Sequence, residues 1–165
     1  MSMKVIAFTD GGCSGNQNAE NFGGWGAVLI GVGAFDGKEV TRKELYGSAI
    51  NTTNNIMELT ATIKALQNIK RKDIPVEVNV DSNYVLKGIT EWIHNWKAKG
   101  WRKSDKKPVE NKELWIQLDE ERNKFSDIKF IKVKAHIGIL NNELADTLAN
   151  RGIMEARTYE SKGAI

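Results

Sequence analysis

The run MKVIAFTDGG, residues 3–12, decides the architecture. Val5 to Phe8 is short, apolar and partly β-branched, the composition of a strand through the middle of a sheet, and it closes at Asp10-Gly11-Gly12. A second run of this kind, VEVNVDSN at residues 76–83, reads as a strand from Val76 to Val80 buried on both faces. Pro75 precedes it, and Asp81-Ser82-Asn83 starts a helix after it. If the two strands are neighbours, Asp10 and Asp81 leave the sheet side by side.

Outward from the first run, a polar Gly- and Asn-rich loop reaches Gly24, and a second strand is expected from Trp25 to Ile30. Residues 39–49 alternate weakly, as a half-exposed third strand would, so three consecutive strands form an antiparallel meander. The period then changes. Ile56, Leu59, Ile63 and Leu66 share one helical face behind the polar start Thr52-Thr53-Asn54-Asn55. Further helices are expected at 82–88, 91–99, 111–125 and 143–151, with a fifth strand at 128–133. The result is a mixed α/β sheet flanked by helices. No linker, repeat or low-complexity tract divides it, so residues 1–151 read as one domain and 152–165 as a weakly ordered tail.

Composition narrows the function classes. Hydrophobic residues make up 41% and charged residues 27% of 165, the balance of a folded soluble domain. The single cysteine, Cys13, excludes an internal disulfide and suits a reducing compartment. The apolar run at the N-terminus is too short for a signal or membrane segment, so a cytoplasmic protein is expected. No interaction segment stands out, and a monomer is expected. The net charge of +3 is modest but unevenly spread: residues 92–107 hold six basic side chains and one acidic one. Four of the five tryptophans, Trp92, Trp96, Trp101 and Trp115, lie in or just beyond that stretch.

Asp10, Asp81 and Glu58, the last in the first turns of the helix between strands three and four, stand where a strand-based site would want carboxylates. Crowded acids repel and are normally held by cations, and oxygen ligands without a Cys or His cluster suit Mg²⁺ or Mn²⁺. Two such ions about 3.5–4 Å apart can activate water and stabilise a leaving oxygen at a phosphodiester. Each carboxylate also has an ordinary reading. Asp10-Gly11 could be a hairpin turn, Glu58 half of a capping box with Asn55, Asp81 a helix N-cap, and Asp146 a solvated helix-face residue. Spacing alone leaves both open.

Several ordered segments resemble bacterial type 1 ribonuclease H. They are TDGGCSGN at 9–16, TTNNIMEL at 52–59, DSNYV at 81–85, GITEWIHNW at 88–96, then Gly100-Trp101, DKKPV at 105–109, Leu114-Trp115, and VKAH at 133–136 followed by Asn142-Glu143 and Asp146. The resemblance implies a five-stranded sheet, three antiparallel strands leading into two parallel ones, and an endonuclease that cuts the RNA strand of RNA–DNA hybrids. It implies two Mg²⁺ ions, with Mn²⁺ as a possible substitute, shared by Asp10, Glu58, Asp81 and Asp146, with Gly11 among the ligands. Asp10 would bridge the ions, Glu58 would also touch a ribose 2′-hydroxyl, and Asp146 would hold the ion that activates water. His136 would move protons or help product leave. Expected substrate contacts are Cys13, Asn16, Thr53, Asn54, Asn55 and Asn83 on one side, and Trp92, Lys97, Lys99, Trp101 and Arg102 of a basic handle, about 91–112, on the other. Trp96 and Trp115 read as core, His94 as packing, and Thr53 or Asn54 as alternative helix caps.

The chain departs from the family pattern in the loop at 17–22, in the longer link at 31–38, in Asn83 where Gln is common, and in Ala135 before His136. Ile137-Gly138-Ile139-Leu140 is more apolar than usual, which suggests a stiffer histidine loop. Two other functions share these features: a non-catalytic hybrid-binding module, and a DNA-acting relative such as an integrase or junction resolvase.

Overall fold

The computed structural model describes residues 2–15, 20–133 and 139–163. Strands β1 (Met3–Gly15), β2 (Asn21–Gly33) and β3 (Glu39–Ile50) form the antiparallel meander, and β4 (Val76–Val80) and β5 (Ile128–Lys132) complete a sheet of order β3-β2-β1-β4-β5. β1 pairs parallel with β4, and β4 parallel with β5, so the mixed five-stranded sheet is the one expected.

Helices cover the two faces unequally. On one side α1 (Asn54–Gln67) and α4 (Lys112–Arg122) close a core around Ala7, Ala27, Leu29, Leu59, Leu66, Val76, Val78 and Val80. On the other, α5 (Ile139–Gly163) packs Ala145 and Leu148 against Phe8, Val28 and Ile30. β4 is therefore not apolar on both faces. Its α5-side positions are Glu77, which pairs with Lys4 at 2.7 Å, and Asn79, whose amide donates to the Ala7 carbonyl at 3.2 Å.

Both first strands run further than their composition suggests. β1 continues through the glycines, with Asp10 opposite Gly26, Gly12 opposite Gly24 and Ser14 opposite Phe22, whereas β4 stops alongside Thr9. Glycine-rich sequence reads as loop because glycine is a poor strand former. Here its missing side chains are what the packing requires. A Cβ at Gly11 would lie 2.3 Å from the main chain of Met57 in α1, and one at Gly26 would lie 2.4 Å from the Ala145 carbonyl of α5. Helices on both faces thus press directly on backbone.

The first half of the segment between β4 and α4, Asn83 to Ala98, is nearly continuous helix. α2 (Asn83–Lys87) passes through one π-helical turn (Gly88–Trp92) into α3 (Ile93–Ala98), where sequence suggested two separate helices. Gly88 sits under the buried Trp115 ring, where a Cβ would meet ring carbon at 1.9 Å. α5 likewise differs from its expected end at Arg151. It runs on to Gly163, with Gly152 and Ala156 buried. Among the described residues, no helix is long and apolar enough to cross a membrane.

Gly26→Ala is expected to lower stability by about 1–3 kcal/mol, because the new methyl overpacks against the α5 backbone. Gly12→Ala, whose Cβ would meet only Asn54 Oδ1 at 3.7 Å, should change it by less than about 0.5 kcal/mol. Urea unfolding of both variants measures the difference.

Candidate active site

The site forms where β4 ends and β1 continues. Asp10 is the first β1 residue beyond the β1–β4 ladder, and Asp81 is the first residue after β4. Glu58 arrives on the second turn of α1, held close by the glycine contact at Gly11. Asp146 arrives on α5 beside Ala145, seated over Gly26 directly opposite Asp10. Backbone approach at two glycines therefore delivers two of the four carboxylates.

The ordinary readings of these residues fail one by one. Asp10-Gly11 lies within a strand rather than a turn. Thr53 caps α1, its hydroxyl accepting from Ile56 N–H at 3.1 Å, which excludes Glu58 from a capping box with Asn55. Ser82, not Asp81, caps α2 by accepting from Val85 N–H at 3.2 Å. Asp146 is exposed, but its carboxyl meets Asp10 as well as Asn150 Nδ2 at 3.5 Å. None of the four carboxylates is needed as a cap or a turn.

The carboxylates meet in pairs around Asp10. Removal from water raises the Asp10 carboxyl to about 7, assisted by its hydrogen bond to Asp146 and by the negative charges of Asp146 and Asp81, while Gly11 N–H opposes the rise. Glu58 is pushed up to about 8, first by removal from water, then by the charges of Asp10 and Asp81, with Gly11 N–H again opposing. Among the described residues, no three His, Cys, Asp or Glu side chains already converge on one ligating centre. Asp10 instead hydrogen-bonds to Asp146 and to Glu58. Such a set fits a hard divalent cation: all its donors are carboxylate oxygens, they repel when ionised, and a cation would displace the protons that burial favours on Asp10 and Glu58. A nearby side-chain cation is Lys132 at the end of β5, whose ammonium donates to the Asp81 carbonyl and lies 3.5 Å from its carboxylate.

The expected substrate contacts divide between two surfaces. Cys13 N–H donates to Asn54 Oδ1 at 2.9 Å, tying the β1 end to the start of α1, where Asn55 and Thr53 also stand. Thr53 does serve as a cap, and Asn54 as a tether. Asn83 opens α2, exposed, two residues from Asp81. Asn16 and His136 lie outside the described residues, as do Ala135, Ile137 and Gly138.

The handle is built on stacked aromatic rings. Trp115 is fully buried and touches Trp96 at 5.3 Å and Tyr84 at 5.2 Å between centroids, while Trp92 packs on Trp96 at 5.9 Å and keeps 36% of its surface exposed. Trp96 and Trp115 are core, as expected, but His94 is exposed rather than packed. Beyond α3 a tight loop, with Lys103 N–H donating to the Lys107 carbonyl at 2.8 Å and Asp105 capping it, projects Lys99, Arg102, Lys103, Lys106 and Lys107. Lys97 differs from that group: it pairs with the nearly buried Asp119 at 2.9 Å, so part of its charge is already engaged. Sequence reading missed Gly24 and Gly26 as the seat of α5, and Lys132 as the partner of Asp81. An alternating glycine pair inside an otherwise apolar strand was the available signal for the first.

Comparison with known proteins agrees with this geometry. The ribonuclease H family model matches residues 2–154. Ribonuclease H of Pseudomonas savastanoi pv. phaseolicola is 49% identical over 163 residues, covering 98% of this chain and 100% of that protein. Ribonuclease HI of Pseudomonas syringae pv. tomato is 48% identical over 159 residues, covering 95% and 97%. Among solved structures, LC9-RNase H1, described as a type 1 RNase H with the type 2 active-site motif, aligns with a TM-score of 0.79 at 31% identity, covering 94% of this chain and 74% of that one. LC11-RNase H1, solved in complex with an RNA/DNA hybrid, aligns with a TM-score of 0.63 at 25% identity over 92% of this chain and 98% of that one. With near-complete coverage, nearly half the residues identical and the carboxylates gathered at the β1–β4 junction, this chain belongs to the ribonuclease H family, among the bacterial type 1 enzymes.

Proposed function

We infer that this enzyme hydrolyses the RNA strand of RNA–DNA hybrids, such as replication primers and R-loops, as an endonuclease leaving 5′-phosphate and 3′-hydroxyl ends. The observation that carries the reading is the contact of Asp10 with both Asp146 and Glu58 at the β4 end, beside Asp81. Two Mg²⁺ ions bound to these carboxylates would supply an activated water and neutralise charge at the leaving oxygen. Asp10 would be shared by both ions, with Glu58 and Asp81 flanking it, Gly11 adding a main-chain ligand, and Asp146 holding the ion that activates water. Glu58 reaches the site from the α1 end, next to Asn54 and Asn55, and so can also meet a ribose 2′-hydroxyl. His136, which follows β5 by four residues, is assigned proton movement or product release. A cytoplasmic monomer fits a chain with one cysteine and no membrane-crossing helix among its described residues.

The hybrid is proposed to lie across two supports. Asn54, Asn55 and Asn83, with the Cys13 and Thr53 main chain between them, would offer amide and peptide groups to a minor groove, where 2′-hydroxyls distinguish RNA; Asn16, outside the described residues, is assigned to the same contact. The handle would bring Lys99 and Arg102 to DNA-strand phosphates, with Trp92 and Trp101 stacking on sugars or bases. Lys97, bound to Asp119, would join that contact only by exchanging its partner.

With labelled RNA–DNA hybrid and Mg²⁺, cleavage of the RNA strand alone is expected; single-stranded RNA, duplex RNA and duplex DNA should stay intact, and chelator should abolish the reaction. Asp10→Asn should reduce kcat on the order of a thousandfold or more. Binding of hybrid without cutting would leave a binding module, and cutting of duplex DNA would indicate a DNA-acting relative.

Replacing Lys99 and Arg102 together by alanine should weaken hybrid binding and flatten its dependence on salt, by roughly one unit of log–log slope per lost phosphate contact. An unchanged slope in anisotropy titrations would remove the handle from the interface.

The acids also predict a pH dependence. Asp10 at about 7 and Glu58 at about 8 lie above their ordinary values of 3.8 and 4.5, so the folded protein holds more protons than the unfolded chain across that interval. Their contribution to stability is complete below the ordinary values and is lost as pH rises through the folded ones. In chelator, thermal stability should decline across this window. Mg²⁺ should restore it most strongly at the alkaline end, and its binding at neutral pH should release protons, measurable by titration calorimetry in buffers of different ionisation enthalpy.

A further inference from the structure

The helix α5 continues past the family-matched segment, which ends at residue 154, and its extension reaches back to the substrate side of the sheet. The guanidinium of Arg157 donates to Ser14 Oγ at 2.7 Å and lies 5.6 Å over the Phe22 ring. Ser14 and Phe22 are register partners near the end of the β1–β2 ribbon. Beyond Thr9 β1 has lost β4 and becomes an edge strand, paired only with β2, which β3 backs as far as Phe22 opposite Ile50. The β2 side of this end is tied through Asn21 to Thr52. On the β1 side, among the described residues, side chains from both faces of the sheet reach it. Cys13 N–H is bound by Asn54 Oδ1 from the start of α1, and Ser14, the next residue, is bound by Arg157 from α5.

The helix is anchored to β3 just before Arg157. Ser48 Oγ donates to the Gly152 carbonyl at 2.6 Å, Tyr46 hydroxyl donates to Glu155 at 2.7 Å, and Arg151 lies 4.7 Å over the Tyr46 ring. Arg157 is thus carried on a helix fixed to β3, and it clamps the strand end whose neighbours Cys13 and Asn54 belong to the proposed hybrid-binding surface. We propose that Arg157 is a positioning residue for substrate: by clamping Ser14 and Phe22 it orders the β1 end against Asn54 and so sets the affinity for hybrid, without taking part in the chemical step.

This rests on the hybrid-cleaving reading, which wild-type cleavage of hybrid tests separately. Arg157→Ala should raise KM for RNA–DNA hybrid about three- to tenfold, the scale of one charge-assisted hydrogen bond at a partly exposed site, with kcat within about twofold. Arg157→Lys, which keeps the cation and a donor, should recover part of the loss, and Ser14→Ala should reproduce part of it. Amide exchange in Arg157→Ala should quicken at residues 12–15 and remain unchanged in β4 and the core of α1. If wild type cleaves hybrid while Arg157→Ala keeps both its KM and its exchange at residues 12–15, the proposal is wrong. It is equally wrong if the variant loses kcat with KM unaltered.

Discussion

The structure depends on one constraint: two helices must press against the bare backbone of β1 and β2 from opposite faces. α1 does so at Gly11 and α5 at Gly24 and Gly26. Side chains there would hold the helices several ångströms away, since a packed interior has no room to absorb an added Cβ. The same approach that closes the core carries Glu58 and Asp146 to Asp10. Stability and the candidate catalytic geometry therefore share a cause.

Acid repulsion opposes that arrangement. Asp10 and Glu58 lie partly removed from water beside the exposed Asp81 and Asp146, and burial holds the Asp10 and Glu58 carboxyls well above the ordinary carboxylate range. A fold with no use for the cluster would disperse it, because Asp10, Glu58 and Asp81 could each serve locally as a turn or cap and none does. Among the described residues the caps are supplied instead by Thr53 and Ser82, which leaves Glu58 and Asp81 available to the site.

Away from the carboxylates, the molecule offers two supports of different stiffness. The handle rests on the Tyr84, Trp92, Trp96 and Trp115 rings, and Tyr84 hydroxyl accepts from both Trp115 Nε1 and Asn111 Nδ2. Its basic loop is exposed but grows from a rigid aromatic base. The β1–β2 ribbon has no such base, and it is secured from outside by Asn54 and Arg157. Aromatic packing thus orders one side of the proposed groove, and polar contacts across the two faces order the other.

Much was legible in the sequence because it depended on local chemistry. Alternation and apolar runs located all five strands, the 3.6-residue period located α1, and the ordered motifs around Asp10, Glu58, Asp81 and Asp146 identified the family. The boundaries that failed were those set by distant partners. Residues 11–15 form strand only because β2 pairs with them and α1 needs the bare backbone of Gly11, and α5 continues past Gly152 because Tyr46, Ser48 and Ser14 receive it. Composition determined which residues could ligate, stack or carry charge. Only the tertiary structure decided which of them meet, because contacts between residues 10 and 146, or 14 and 157, are made by packing across the sheet and leave no period in the chain.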